Sequence, residues 1–358
     1  MRALVLGAGR MGSAIAADLA GQGFAVTVAD RDGALARAVA ARIRARSLEL
    51  DAAAEPSEAE RAMRDTDVVV SAVPYLLNDA LAEMAVAART SFVDLGGNDA
   101  VVRRELALDR RAARAGVCVV PDCGLAPGMV SLLVAHAVKD IEGRAGRVGS
   151  VRIRVGGLPR RPTGPLRYQL VFAVEGLVNE YRGRCLTLRG GRIVRPWALG
   201  GLEHLEFPGL GRLEAFFTSG GASTMPETYE GRIGDLDYKT LRYPGHCARV
   251  RRLFRELGRA GAQAYFERTL PRSGPDLVAL EVSVDDRIWR LLDRSRGRTT
   301  AMMRTTGFPA AVMAGMVARG EVRRRGALIP ERDIDPVPFI AGLLERGLRL
   351  RYQRRSAD

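Results

Sequence analysis

Gly7, Gly9 and Gly12 stand at the spacing G-x-G-x-x-G, directly after the apolar run 3–6 and directly before a helical pattern over 13–20. Residues of this type at this spacing form a cradle for a dinucleotide pyrophosphate. The first glycine permits a tight turn, the second removes the side chain that would block the phosphates, and the third lets helix pack on strand. The helix N-terminus then offers its N–H groups to the anion. Arg10 and Met11 complete the loop. Asp30 ends the next apolar run, FAVTVA at 24–29, about 20 residues further on. A carboxylate there accepts hydrogen bonds from the adenosine ribose hydroxyls and repels a 2′-phosphate, which favours NAD. Arg31 beside it has the charge to pair with a 2′-phosphate, so NADP is the alternative.

The elements that must position this loop follow from the alternation of short apolar runs and helical stretches. Strands are expected at 3–6, 24–29, 48–51, 68–73, 92–95 and 117–120, with helices at 33–46, 57–64 and 76–88 between them. Such alternation implies a doubly wound parallel sheet covered on both faces, with its ligand crevice at the carboxyl ends of the strands. Val73-Pro74 and the turn containing Gly96 close two strands at that edge, so both are expected near the dinucleotide; Asn98 or Asp99 is expected to cap the next helix. Beyond about residue 139 the alternation stops. VRIRV at 151–155 has period two, and Gly190-Gly191 within 187–195 reads as a hairpin turn. Further strands are expected at 213–217, 237–243 and 277–284, and helices at 174–181, 247–259, 310–319 and 339–346. The expected architecture is α/β: a Rossmann domain with an inserted α+β substrate and dimerisation domain.

Composition narrows the function classes. The chain of 358 residues carries a formal net charge of +14, yet of its 55 Lys and Arg residues only Lys139 and Lys239 are lysine. The arginines are spread along the chain, which reads as a compositional bias rather than a nucleic-acid footprint. Four cysteines without C-x-x-C spacing and three histidines argue against a structural metal and for a reducing, cytoplasmic setting. Pro121, Asp122 and Pro127 interrupt the most apolar stretch, 117–138, so no membrane span is expected. The N-terminus lacks the charged and apolar regions of a signal peptide.

Several blocks together resemble one family: GAGRMG at the start, PDCGLAPGM at 121–129, GGLP at 156–159, DYKTLRYPGH at 237–246 and TTGFPAAVMAGMVARG at 305–320. They are similar to the saccharopine dehydrogenase-like oxidoreductases, and within them to the lysine 6-dehydrogenases, over nearly the full length. The resemblance implies a Rossmann domain over 1–125 and 305–358, an inserted catalytic domain over 126–304, and a homo-oligomer of two or more copies. It also implies the reaction: NAD-dependent oxidative deamination of the ε-amine of lysine to 2-aminoadipate 6-semialdehyde, which cyclises, with release of ammonia. A saccharopine or carboxynorspermidine dehydrogenase stays open within the family, and a non-catalytic NAD-binding regulator outside it.

Such a reaction needs a neutral amine, a proton relay and a cation for the substrate carboxylate. If 238–243 is a strand, Tyr238, Thr240 and Arg242 share one face and Lys239, Leu241 and Tyr243 the other. Arg242 is the candidate for the substrate carboxylate, with Tyr168, Thr240 and Tyr243 as further substrate contacts. Lys239 is the candidate base, His246 a candidate proton shuttle, and Asp122 a candidate for binding the substrate ammonium or orienting a water. Gly124 is expected to allow close approach to the cofactor, and Cys123 to pack. The arginines at 152, 154, 160, 161 and 167 cluster near GGLP and suit substrates with extra carboxylates.

Overall fold

The computed structural model describes residues 1–144 and 146–355. Along the chain come β1 (Arg2–Leu6), α1 (Arg10–Gly21), β2 (Ala25–Asp30), α2 (Gly33–Ile43), β3 (Arg46–Glu49), α3 (Pro56–Arg64), β4 (Val68–Ser71), α4 (Asn78–Ala87), β5 (Ser91–Val93), α5 (Asp99–Leu106), α6 (Asp109–Ala115), β6 (Cys118–Val120) and α7 (Met129–Glu142). Then follow β7 (Ser150–Pro159), α8 (Val174–Glu180), β8 (Thr187–Arg189), β9 (Arg192–Val194), β10 (Glu203–Phe207), β11 (Gly211–Phe217), α9 (Met225–Tyr229), β12 (Asp235–Arg242), α10 (His246–Thr269), β13 (Asp276–Val284) and β14 (Arg287–Arg294). The chain ends with α11 (Phe308–Ala318), β15 (Gly326–Ala327), α12 (Pro330–Asp333), α13 (Pro336–Glu345) and β16 (Arg351–Arg354).

Two compact units result: Met1–Leu132 with Met303–Gly347, and Leu133–Met302 with Leu348–Asp358. Among the described residues, the first unit contains a parallel sheet in the order β15-β6-β5-β4-β1-β2-β3. This is the doubly wound order expected from the alternation. Strands β4 and β6 are buried along their whole length, as a sheet covered on both faces requires. Leu4, Leu6, Val69, Phe92 and Val119 form the centre of one core against the helices. In the first unit, α2 and α5 start on side-chain caps: the Asp32 carboxylate accepts from the Ala34 and Leu35 N–H groups at α2, and Asn98, one of the two caps expected from sequence, does the same for Ala100 and Val101 at α5. The cap is therefore Asn98, and Asp99 is the first helical residue.

The second unit contains a mixed sheet in the order β10-β11-β12-β7-β13-β14-β16, with the hairpin β8–β9 attached to β12. β12 runs parallel to β7, and its neighbour β11 is antiparallel to it. Leu158, Phe207, Leu213, Leu241 and Leu277 pack as its core.

Three expectations change. The strand β15 is too short to show a period, yet it adds an edge to the first sheet beside β6. Strands β10, β14 and β16 were not foreseen, because their apolar residues are broken by charged ones. The chain from Leu348 on groups with the second unit rather than the first, since β16 pairs with β14 from Arg287↔Arg354 to Arg290↔Arg351. The seams between the units fall after Leu132 and after Met302, where 125 and 305 were expected.

Candidate active site

The glycine loop divides its three glycines between packing and binding. A Cβ on Gly7 would lie 2.8 Å from the Ala72 carbonyl oxygen, and Gly7 itself has φ +97°. A Cβ on Gly12 would lie 1.7 Å from the Gly7 carbonyl oxygen. These two are required by close backbone contacts, with Val73 following Ala72 at the end of β4 and Pro74 exposed beyond it. A Cβ on Gly9, by contrast, would meet nothing within 4 Å. Gly9 is also the N-cap of α1, with no side-chain cap on the first turn. That open space before a helix start left without a side-chain cap is what a pyrophosphate needs, so the residues present fit a dinucleotide. Asp30 ends β2 beside this loop. Its Oδ2 accepts from the Ala8 N–H at 2.7 Å and its Oδ1 from the Asp32 N–H at 2.9 Å, so its carboxylate is held in place against the loop. Arg31 is exposed next to it.

The carboxyl ends of β5 and β6 bring together Asp94, Gly96, Glu105, Asp122 and Gly124. Asp94 is fully buried; its Oδ1 accepts from the Gly96 N–H at 2.6 Å and the Asp122 N–H at 3.0 Å, and its carbonyl accepts from the Cys123 N–H at 2.8 Å. Asp122 is 1% exposed with φ +62°, and a Cβ on Gly96 would sit 2.0 Å from its Oδ1. A Cβ on Gly124 would come 3.1 Å from the Leu95 carbonyl oxygen. Asp122, Gly96 and Gly124, each expected near the carboxyl edge of the sheet, come together here. Sequence reasoning missed Glu105, which lies on the buried stripe of α5 with Val101 and Val102. An acid at an apolar-face position was the available signal. Burial, and then the Asp94 carboxyl, push Glu105 up to about 12. Burial likewise pushes the Cys123 thiol up, which suits the packing role expected of it.

In the second unit β12 alternates as the sequence implied. On one face Arg242, 2% exposed, is held on several sides. Its Nε donates to Tyr181 Oη at 3.1 Å, its Nη1 to the Leu241 carbonyl at 3.0 Å, and its Nη2 to Glu180 Oε2 at 3.1 Å. The guanidinium also lies 4.5 Å from the centre of the Tyr168 ring. His246 continues the chain of contacts. Its Nδ1 lies 2.8 Å from the Leu166 carbonyl, which only accepts, so Nδ1 carries the proton. Nε2 is then the acceptor for Tyr181 Oη at 2.9 Å. Burial first, and Arg242 next, hold His246 down to about 3, so the imidazole is neutral. Thr240 Oγ1 shares a hydrogen bond with Thr218 Oγ1 at 2.7 Å on the same face.

On the opposite face Lys239, 6% exposed, donates from Nζ to Glu203 Oε2 at 2.5 Å. Arg154 bridges Glu203 and Asp237, and Arg189 Nη2 donates to Asp237 at 2.9 Å. Burial raises both carboxyls, but the cations outweigh it and hold Glu203 and Asp237 below the usual range. The geometry thus makes Lys239 a member of an ion-pair network apart from the Arg242 face. Tyr243 donates to the Pro159 carbonyl at 2.9 Å.

Tyr168 links the Arg242 cluster to a cavity of about 560 Å³, also lined by Arg160, Arg161, Thr163, Gln169 and Ser273. Arg160 and Arg161 are exposed, so a carboxylate ligand has cations within reach there. Among the described residues, no group of three or more His, Cys, Asp or Glu is placed to hold a metal ion, and no helix is long and apolar enough to cross a membrane.

The loop, the Asp30 carboxylate and the sheet order define a Rossmann-type dinucleotide-binding protein whose second unit is a mixed-sheet α+β unit with a basic cavity. The chain belongs to the saccharopine dehydrogenase family: residues 3–120 match its "Saccharopine dehydrogenase NADP binding domain" and residues 124–348 its "Saccharopine dehydrogenase C-terminal domain". It is 26% identical over 193 residues to "Saccharopine dehydrogenase [NADP(+), L-glutamate-forming]" of Saccharomyces cerevisiae, covering 53% of this chain and 42% of that protein. It is 25% identical over 191 residues to mitochondrial "Alpha-aminoadipic semialdehyde synthase" of Bos taurus, covering 51% of this chain and 20% of that one. The matched stretch is therefore less than half the length of either relative. The solved structure of apo histidine-tagged saccharopine dehydrogenase (L-Glu forming) from Saccharomyces cerevisiae superposes with a TM-score of 0.82 at 19% identity, covering 99% of this chain and 100% of that one. That likeness is one of fold.

Proposed function

We propose that this chain is a nicotinamide-dependent oxidoreductase that oxidises the CH–NH bond of an amino acid, and that its substrate is the ε-amine of lysine. The observation that carries the redox part is the glycine loop, with the open space at Gly9 and the Asp30 carboxylate fixed beside it. Asp30 also supports NAD over NADP, although the matching domain's name points the other way. A nicotinamide cofactor held there by the glycine loop and Asp30 would supply the hydride acceptor for the carbon that bears the amine. That carbon releases hydride only from the neutral amine, so a group of the chain must take the ammonium proton first. Asp122, at the carboxyl edge of β6, is the residue proposed for this step and for orienting the water that hydrolyses the substrate imine. The balance is R-CH₂-NH₃⁺ plus NAD⁺ to R-CH=NH₂⁺, NADH and H⁺, then water in and the aldehyde and ammonium out.

Arg242 is not proposed for the α-carboxylate, because its donors are directed at groups of the chain itself. His246, neutral and tied to a backbone carbonyl, is proposed to orient Tyr181 rather than to deliver a stored proton. Lys239 is proposed as an ion-pair partner of Glu203, with Thr240 and Tyr243 supporting the fold of the unit. The lysine assignment is supported by the blocks that resemble lysine 6-dehydrogenases, DYKTLRYPGH above all, because that block forms β12 and the start of α10. A second reading, oxidation of saccharopine, is supported by the paired arginines in the cavity and by the names of the relatives. The test is a panel of lysine, saccharopine, ornithine and carboxynorspermidine with NAD and with NADP, following reduced-nicotinamide absorbance and ammonia. Ammonia release with lysine alone supports the first reading. Turnover with saccharopine alone replaces it with the second, and no turnover with any of them overturns both.

A further inference from the structure

Glu105 is one of the fully buried titratable groups that the mechanism proposed above leaves unused. Glu105 is 0% exposed on α5, and among the described residues neither of its carboxyl oxygens meets an N–H or hydroxyl donor. The charged group set against it is the Asp94 carboxyl, itself fully buried, whose Oδ2 likewise meets no N–H or hydroxyl donor among the described residues. Two carboxyl groups can hydrogen-bond only if one of them carries a proton. The two N–H donors in the site, from Gly96 and Asp122, both aim at Asp94, so the shared proton belongs to Glu105. The other charged groups acting on Glu105 are Asp122, after β6, and Asp79, on α4; both are acids and both favour its neutral form. Asp79 is itself paired with Arg104, on the exposed side of α5.

Asp94 is the hub of this edge. One carboxyl oxygen ties down the Gly96 turn after β5 and the Asp122 backbone after β6, and its carbonyl ties down Cys123. The second carboxyl oxygen has no such donor. Asp94 itself directly follows β5, at the carboxyl edge of the parallel sheet, the edge where dinucleotides bind in this topology.

We propose that Glu105 is a positioning residue: as a neutral acid it donates to Asp94, and so holds the Gly96 turn and the Asp122 segment in the arrangement that receives the nicotinamide end of the cofactor. This rests on the dinucleotide reading above. Without the donor, Asp94 keeps a buried oxygen unpaired, and the two loops it ties lose their fixed spacing. Glu105→Gln preserves the donor, since the amide N–H replaces the acid O–H at nearly the same shape. Glu105→Leu removes it.

The experiment compares wild type, Glu105→Gln and Glu105→Leu in the full chain. NAD and NADP affinity is titrated by the fluorescence of the reduced forms, and unfolding by denaturant is followed from pH 6 to pH 9. A carboxyl whose folded-state pKa is raised contributes stability that is complete below the unfolded pKa and lost as pH rises. Wild type should therefore lose a factor of about ten in its folding constant per pH unit relative to Glu105→Gln, which has no proton to lose. Cofactor affinity should stay within about twofold of wild type in Glu105→Gln and weaken by about tenfold or more in Glu105→Leu, which is one lost hydrogen bond to a charged group. Parallel pH profiles for wild type and Glu105→Gln would overturn the proposal, as would unaltered affinity in Glu105→Leu. If Glu105→Leu does not fold, the Glu105→Gln profile and affinity decide. If wild type binds no dinucleotide at all, the dinucleotide reading fails, while the pH profiles still report whether Glu105 holds its proton.

Discussion

Replacing Arg242 with methionine separates two roles for a buried cation. The side chain is 2% exposed, and its partner Glu180 is 24% exposed. Methionine fills much of the same space, so the loss comes from the polar contacts. Hydrogen bonds to a charged group contribute about 1.5–3 kcal/mol each, and Arg242 makes one to Glu180 and one to Tyr181. Removing one member of a buried ion pair costs about 3–5 kcal/mol, because the other charge is left without a partner. Burial already pushes Glu180 above the usual carboxylate range, so in the variant it takes up a proton and the cost settles toward about 3 kcal/mol. Urea unfolding at neutral pH, with an unchanged slope, measures this. Adding Glu180→Gln to Arg242→Met should restore part of the loss, with a coupling of about 0.5–3 kcal/mol. The reasoning is refuted if Arg242→Met unfolds within about 0.5 kcal/mol of wild type while KM for the amino acid rises steeply. The guanidinium would then face substrate rather than Glu180.

Gly9→Ala should leave the unfolding midpoint unchanged but weaken dinucleotide binding by about tenfold or more, because its Cβ enters open space meant for phosphate. Gly12→Ala should instead destabilise the fold by about 1–3 kcal/mol or more, since its Cβ collides with the Gly7 carbonyl; equal behaviour of the two variants in a melting and titration series would contradict the assignment. Asp30→Ser should weaken NAD binding and narrow the gap to NADP, measured by titrating both; an unaltered ratio would remove Asp30 from cofactor choice. His246 has its folded pKa lowered from 6.5 to about 3, so its contribution is complete above pH 6.5 and lost as pH falls. Wild type should lose about 1.4 kcal/mol per pH unit between pH 6.5 and 4.5 relative to His246→Asn, and coincident acid limbs in denaturant unfolding would show that His246 is not buried as a neutral base.

Local rules were enough for much of the first unit. The run 3–6, the glycine spacing and the acid at Asp30 are neighbours in sequence, and the strand–turn–helix they form is decided within that window. The alternation of apolar runs likewise announced a parallel sheet, because a strand covered on both faces must be apolar throughout. The period-two pattern of 238–242 correctly separated Arg242 from Lys239. What those side chains touch was not legible, because Glu180 and Glu203 lie far away in the chain. Tertiary packing turned Arg242 from an available cation into one enclosed by Tyr168, Tyr181 and Glu180. It also paired Lys239 with Glu203 and buried His246 in its neutral form. Glu105 shows the same limit most clearly: its sequence position marks an acid on a helix, and only the fold buries it against Asp94, where burial and that neighbouring acid favour its neutral form. Sequence by itself determined the alternating elements of the first unit, the faces of β12 and the residue chemistry on hand; the tertiary structure decided the edge strands, charge state and partner, since these depend on burial and on groups brought together from distant parts of the chain.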